Sequence, residues 1–247
     1  MGAGEIGMDM GCNSGRAMTG SSRYGVSPPR INPHRLRPNR LVLLTLIGAA
    51  VALFTGFARA APVTILAFGD SLFAGYGLGA SDSIVAKLEQ RLKADGRDVR
   101  MINASVSGDT TADGLARLDW SLADKPDLVL LELGANDALR GLDPAIARRN
   151  LDAILSTLQA AHIPAVIFGM MAPRNLGPAY AAQFEPIYPD LAQKYQAPLY
   201  PFILDGVAMD ASLNQADGIH PNPQGVAIIV TKIAPIVESA LPGAKPK

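Results

Sequence analysis

Between residues 63 and 240, short apolar runs alternate with longer stretches in which apolar residues recur every three or four positions. The runs are 63–68 (VTILAF), 99–102, 128–133 (LVLLEL), 165–168 (AVIF) and, more weakly, 199–202. Each predicts a short buried strand, bounded by Gly, Pro or polar residues. The intervening stretches predict helices. Residues 83–94 place Ile84, Leu88 and Leu92 at helical spacing and stop before Gly96. Residues 111–122 place Leu115, Leu118 and Leu122 on one face. A helix opens at Asp143-Pro144, where proline suits the first turn, and runs to about residue 161. Another spans 180–195, broken or bent near Pro186 and Pro189, and the last spans 225–240. Strands alternating with helices imply a parallel sheet covered on both faces. With right-handed crossovers, the expected fold is α/β, a three-layer α/β/α sandwich around a five-stranded parallel sheet.

Upstream of this pattern the chain changes character. Residues 1–40 are rich in Gly, Ser, Pro, Met and Arg, show no periodicity, and read as a disordered basic leader. Residues 41–58 form an apolar stretch preceded by Arg35, Arg37 and Arg40 and followed by Ala58-Arg59-Ala60. A positive flank, an apolar run and an A-x-A ending match a secretory signal peptide, with cleavage expected after Ala60. The alternative is retention as an inner-membrane anchor, since the run approaches membrane-spanning length. The expected domain is 61–242, with 243–247 a short tail. The expected location is periplasmic or secreted.

Charge follows the same division. Residues 1–60 hold seven arginines but only Glu5 and Asp9, which leaves 15 basic and 20 acidic residues in 61–247. An acidic domain argues against nucleic acid as a partner, because phosphate binding needs clustered cations. Cys12, the sole cysteine, lies outside the domain, so no disulfide framework, Cys-based zinc site or cysteine nucleophile is available within it. No cofactor and no metal is expected.

In open parallel sheets, ligands bind beyond the carboxyl ends of the strands. The unusual polar residues of this chain follow those ends: Gly69-Asp70-Ser71-Leu72, 103–109, Gly134-Ala135-Asn136-Asp137, 170–175, and Asp217-Gly218-Ile219-His220-Pro221. The three histidines sort by the same topology. His34 precedes the apolar stretch. His162 falls between a helix and a strand, at the opposite edge, as a surface or helix-end residue. His220 alone reaches the functional edge. A serine hydroxyl needs a base within hydrogen-bond reach, and the base needs an orienting acceptor. Ser71, His220 and Asp217 supply these roles. An oxyanion forming at Ser71 needs donors aimed at it. The candidates are the N–H groups of Ser71 and Gly108 and the side-chain amide of Asn136.

Together these loops resemble the SGNH (GDSL) hydrolases. Gly69-Asp70-Ser71-Leu72 is similar to the block that carries the nucleophile, Gly108 within Ser107-Gly108-Asp109-Thr110 to the oxyanion-glycine block, Gly134-Ala135-Asn136-Asp137 to the oxyanion-asparagine block, and Asp217-Gly218-Ile219-His220-Pro221 to the block with the catalytic Asp and His. The resemblance covers essentially all of 61–247 and is closest to the bacterial arylesterase, acyl-CoA thioesterase I and lysophospholipase group. It implies a flavodoxin-like fold, a small-molecule or lipid ester as substrate, hydrolysis of carboxylic esters or thioesters, and a periplasmic location. It departs at Ser83-Ile84-Val85-Ala86, where many members carry an aromatic residue and a proline.

Other features carry plainer readings. Asp70, Asp109 and Asp137 are expected to bond local backbone. Gly75-Tyr76-Gly77-Leu78-Gly79 lacks phosphate-loop spacing, and no GxSxG surrounds Ser71. Met170, Met171, Pro173 and Leu176 (with Pro178) form an apolar loop that either lines an acyl groove or packs under a long loop. Membrane contact is expected only through the apolar leader or a lipid substrate. Two other functions stay open: a carbohydrate O-deacetylase with the same chemistry, and a flavodoxin-like binding module without catalysis.

Overall fold

The computed structural model describes residues 61–243, and apart from them only Gly25. The expected leader, the apolar segment 41–60 and residues 244–247 of the expected tail lie outside the described residues.

Five strands form one parallel sheet: β1 (Val63–Gly69), β2 (Val99–Asn103), β3 (Leu128–Glu132), β4 (Ala165–Phe168) and β5 (Leu199–Tyr200), in the order β2-β1-β3-β4-β5. Ile65 to Phe68 and Leu128 to Leu131 are consecutive buried residues, which requires cover on both faces. Helices α2 (Ile84–Ala94) and α8 (Pro223–Ala240) pack together in one layer. In the other, α3 (Thr111–Ser121) packs on α5 (Pro144–Ala160), which in turn meets α6 (Gly177–Phe184) and α7 (Ile187–Tyr195). Two further helices are single turns at the carboxyl edge, α1 (Ser71–Ala74) and α4 (Ala135–Leu139).

The expected α/β/α sandwich is therefore present, with local differences. The helix expected over 180–195 is two helices. Pro186 sits at the junction, whereas Pro189 falls in the first turn of α7, where a missing N–H leaves no gap in the helix. The last strand is two residues rather than four: the Gly169 N–H still reaches the Tyr200 carbonyl at 2.8 Å, but the Gly169 carbonyl then accepts from Ile203, where the chain has left the sheet. The last helix begins earlier, at Pro223, where the Asn222 side chain accepts from the Gln224 and Gly225 N–H groups. Neither α1 nor α4 shows in the hydrophobic pattern.

The chain leaves β1 toward β2 on one side and later fills β3, β4 and β5 on the other, so the switch of direction lies between β1 and β3. Their ladder ends at the pair Gly69 and Glu132. The residues that follow, Asp70-Ser71 and Gly134 to Asn136, open into that crevice, where such sheets bind ligands.

Candidate active site

Asp70 shapes the turn out of β1. Its buried carboxylate accepts from the Leu72 N–H at 3.2 Å and caps α1, which places Ser71 at the helix start. Ser71 Oγ lies 2.8 Å from His220 Nε2, and His220 Nδ1 lies 2.7 Å from Asp217 Oδ2. Asp217 Oδ1 accepts from the backbone N–H groups of Ile219 and His220, both at 3.0 Å. The His220 backbone N–H, then its ring, then the Ile219 N–H hold the Asp217 carboxyl down at about 2. An ionised Asp217 can only accept, so the proton of the neutral imidazole sits on Nδ1 and Nε2 is left to accept from the Ser71 hydroxyl. The ring is mostly covered, with Tyr76 lying against it at 4.6 Å between centroids and tilted by 35°.

The other proposed oxyanion donors lie on the segments after β2 and β3, at the same edge of the sheet. Gly108, in the loop after β2, has φ 91°, a left-handed conformation that favours glycine. Its carbonyl accepts from Arg140 at 2.7 Å. The Asn136 amide donates to Asp70 Oδ2 at 3.1 Å and to the Asp109 carbonyl at 3.0 Å. Both of its N–H bonds are thus engaged, and donation to an oxyanion requires sharing or releasing one partner.

Of the neighbouring acids, Asp70 bonds local backbone as expected, whereas Asp109 and Asp137 hold parts of the fold that lie farther along the chain. Asp137 accepts from the Thr111 N–H and hydroxyl at 2.8 and 2.6 Å. Asp109 pairs with Arg117 Nε at 2.6 Å. Arg117 is a residue to which the sequence assigned no role. It also donates to the carbonyls of Ala104 and of Gly69 (3.0 Å for the latter) and stacks over Phe68 at 4.2 Å, joining the ends of β1 and β2 to the Gly108 loop. Glu132 was likewise unassigned. It is fully buried and accepts the Asp70 N–H at 3.1 Å through Oε2. Burial, with the Asp70 charge beside it, pushes its carboxyl well up, while burial pushes Asp70 up to about 6. A lone carboxylate inside LVLLEL was the available signal, because acids are almost never fully buried unless paired.

The apolar loop after β4 divides. Met170 belongs to the core, so packing accounts for it, whereas Met171 is exposed and Pro173 and Leu176 are half-buried. Exposed Tyr76, Val106 and Ile219 lie on other loops of the same edge, and exposed Leu139 ends α4 there. A surface recess of about 680 Å³ lies at the opposite, amino-terminal edge and includes His162, but no nucleophile–base pair lines it. Among the described residues no group of three His, Cys, Asp or Glu side chains could hold a metal ion.

The GDSL-like Lipase/Acylhydrolase family matches residues 67–228. The chain is 44% identical to esterase TesA of Pseudomonas aeruginosa over 164 residues, 66% of this chain and 82% of that protein. It is 41% identical to thioesterase 1/protease 1/lysophospholipase L1 of Escherichia coli K12 over 167 residues, 67% of this chain and 79% of that one. Among solved structures, the SGNH-hydrolase family esterase AlinE4 matches with a TM-score of 0.62 at 52% identity, covering 74% of this chain and 98% of that one. With its sheet, its loops and these relatives in agreement, the chain belongs to the GDSL-like lipase/acylhydrolase (SGNH hydrolase) family and is a hydrolase of the esterase class.

Proposed function

We propose that the chain is a serine esterase working through an acyl-enzyme on Ser71. Ser71 Oγ attacks the carbonyl carbon of an ester or thioester while His220 Nε2 takes its proton. Asp217 holds the ring and offsets the imidazolium charge. The carbonyl oxygen becomes an oxyanion facing the Ser71 and Gly108 N–H groups and the Asn136 amide, which turns to it from the Asp109 carbonyl. As the tetrahedral intermediate collapses, the bond to the leaving group breaks and His220 returns the proton to the departing alcohol or thiol. Water then attacks the acyl-serine with His220 again as base, releasing the acid and restoring the hydroxyl.

The observation that carries this reading is the unbroken relay from Ser71 through His220 to Asp217, with links of 2.8 and 2.7 Å. It is tested with p-nitrophenyl esters and a fluorophosphonate. Wild type turns over the ester and is labelled at Ser71; Ser71→Ala and His220→Ala each lose about 10⁶-fold in kcat. Full activity in either variant would rule the assignment out.

The proposed substrates are aryl esters, short- to medium-chain acyl esters, acyl-CoA thioesters and lysophospholipids. The thioesterase and lysophospholipase names of one relative support the last two. Met171, Pro173 and Leu176 line the proposed acyl groove, so Met171→Asp shifts chain-length preference in the same assay; an unchanged preference counts against the groove. We also propose that residues 41–60 direct export, that cleavage follows Ala60, and that 61–242 is the hydrolase domain. An exported enzyme meets lysophospholipids and exogenous esters more readily than cytosolic acyl-CoA.

A further inference from the structure

Gln215 stands two residues before Asp217 and is tied to both sides of the site. Its backbone N–H donates to the His220 carbonyl at 2.8 Å, and its carbonyl accepts from the Gly218 N–H at 2.9 Å. These two bonds close the turn that carries Asp217 and His220. The side chain reaches out of that turn. Nε2 donates to the Pro221 carbonyl at 3.0 Å and, across 139 residues of chain, to the Tyr76 carbonyl at 2.8 Å. An amide nitrogen has two N–H bonds, so these acceptors use both.

Tyr76 belongs to the nucleophile's side. Its N–H donates to the Ser71 carbonyl at 3.1 Å, and its ring lies over His220. From Gln215 to the backbone of Ser71 is therefore two hydrogen bonds. Gly77 closes the other side of the amide. Its φ is 72°, and a Cβ added there would come within 2.1 Å of Gln215 Oε1. The side chain is thus held by two carbonyl acceptors on one side and by close approach on the other, at the seam between the serine loop and the histidine turn.

We propose that Gln215 is a positioning residue: its amide clamps the histidine turn to the loop behind Ser71 and so sets the separation of His220 Nε2 from Ser71 Oγ. The inference rests on Ser71 and His220 being nucleophile and base. Gln215 acts through His220. Its effect comes from geometry, since proton transfer needs the base within hydrogen-bond reach, and a displacement of about 1 Å can cost about a hundredfold in rate.

The test is the second-order rate of Ser71 labelling by a fluorophosphonate, read beside the thermal melt and the kinetics on a p-nitrophenyl ester. In Gln215→Ala, labelling and kcat fall together by about tenfold to a hundredfold, while KM and the melting temperature stay near wild type. Gln215→Glu keeps the shape, lacks the N–H bonds and turns oxygen toward two carbonyls, so it falls at least as far. Gly77→Ala pushes on the amide from behind and also falls, and the double variant with Gln215→Ala falls no further than the worse single. Wild-type labelling in both Gln215 variants would overturn the clamp and leave the nucleophile assignment standing. A loss that merely tracks a smaller folded fraction would also overturn it, since the amide would then hold the fold and not the seam. No labelling of the wild type would take down the triad reading and this inference with it.

Discussion

At the scale of single residues, Asp70 carries a load that its neighbour Ser71 conceals. One carboxylate, fully buried, caps α1, receives the Asn136 amide and lies beside Glu132. Burial pushes it from 3.8 up to about 6. Between those values the folded chain keeps a proton that the unfolded chain has lost, so Asp70's contribution to stability falls as pH rises through the window. Asp217, held down at about 2, acts in the opposite sense and only at lower pH, where its stabilising contribution is lost as pH falls. In urea titrations from about pH 4 to pH 6, Asp70→Asn is therefore expected to lose a downward slope worth on the order of 2 kcal/mol. Parallel curves for variant and wild type would show that Asp70 titrates normally. The slope is the readout, because an asparagine there also sets an amide against the Asn136 amide.

At the scale of elements, legibility followed length and burial. Strands β1, β3 and β4 were readable because they hold unbroken runs of buried apolar residues, whereas β2 buries only Val99 and was legible mainly from its place between two helices. The helices α2, α3 and α5 were readable because their buried positions recur at helical spacing. The single turns α1 and α4 were not. Four or five residues are too few to show a period, and α1 exists because Asp70 caps it. The same limit applied at the site. The order of the loops placed Ser71, Asp217 and His220 at one edge. The engagement of both Asn136 N–H bonds, the reach of Arg117 and the Glu132 contact depend on distances across the fold, which spacing along the chain does not carry. Helix α8 yields a prediction at this scale. It buries Val226, Ile229, Val230, Ile233 and Val237, each worth about 1.5–3 kcal/mol, which approaches the whole stability of a typical domain. A chain ending at Asn222 keeps every proposed catalytic residue yet is expected to show neither a cooperative melt nor fluorophosphonate labelling. Labelling at the full-length rate would mean that His220 is held without α8.

At the scale of the whole molecule, the uneven charge and the apolar stretch 41–58 divide the sequence where the hydrophobic alternation begins. Export with processing after Ala60 predicts that the protein recovered outside the cytoplasm has an intact mass beginning at Ala61. A mass that includes residues 41–60 would favour the anchored alternative. The proposed nucleophile and base are 149 residues apart in sequence, and the base stands three residues before the last helix. Such wiring separates manufacture from use in time. On the proposed triad, a nascent chain whose final stretch is still inside the ribosome has a serine with no base to activate it. An incomplete product is then expected to be silent, and hydrolysis to begin only once the final segment has arrived.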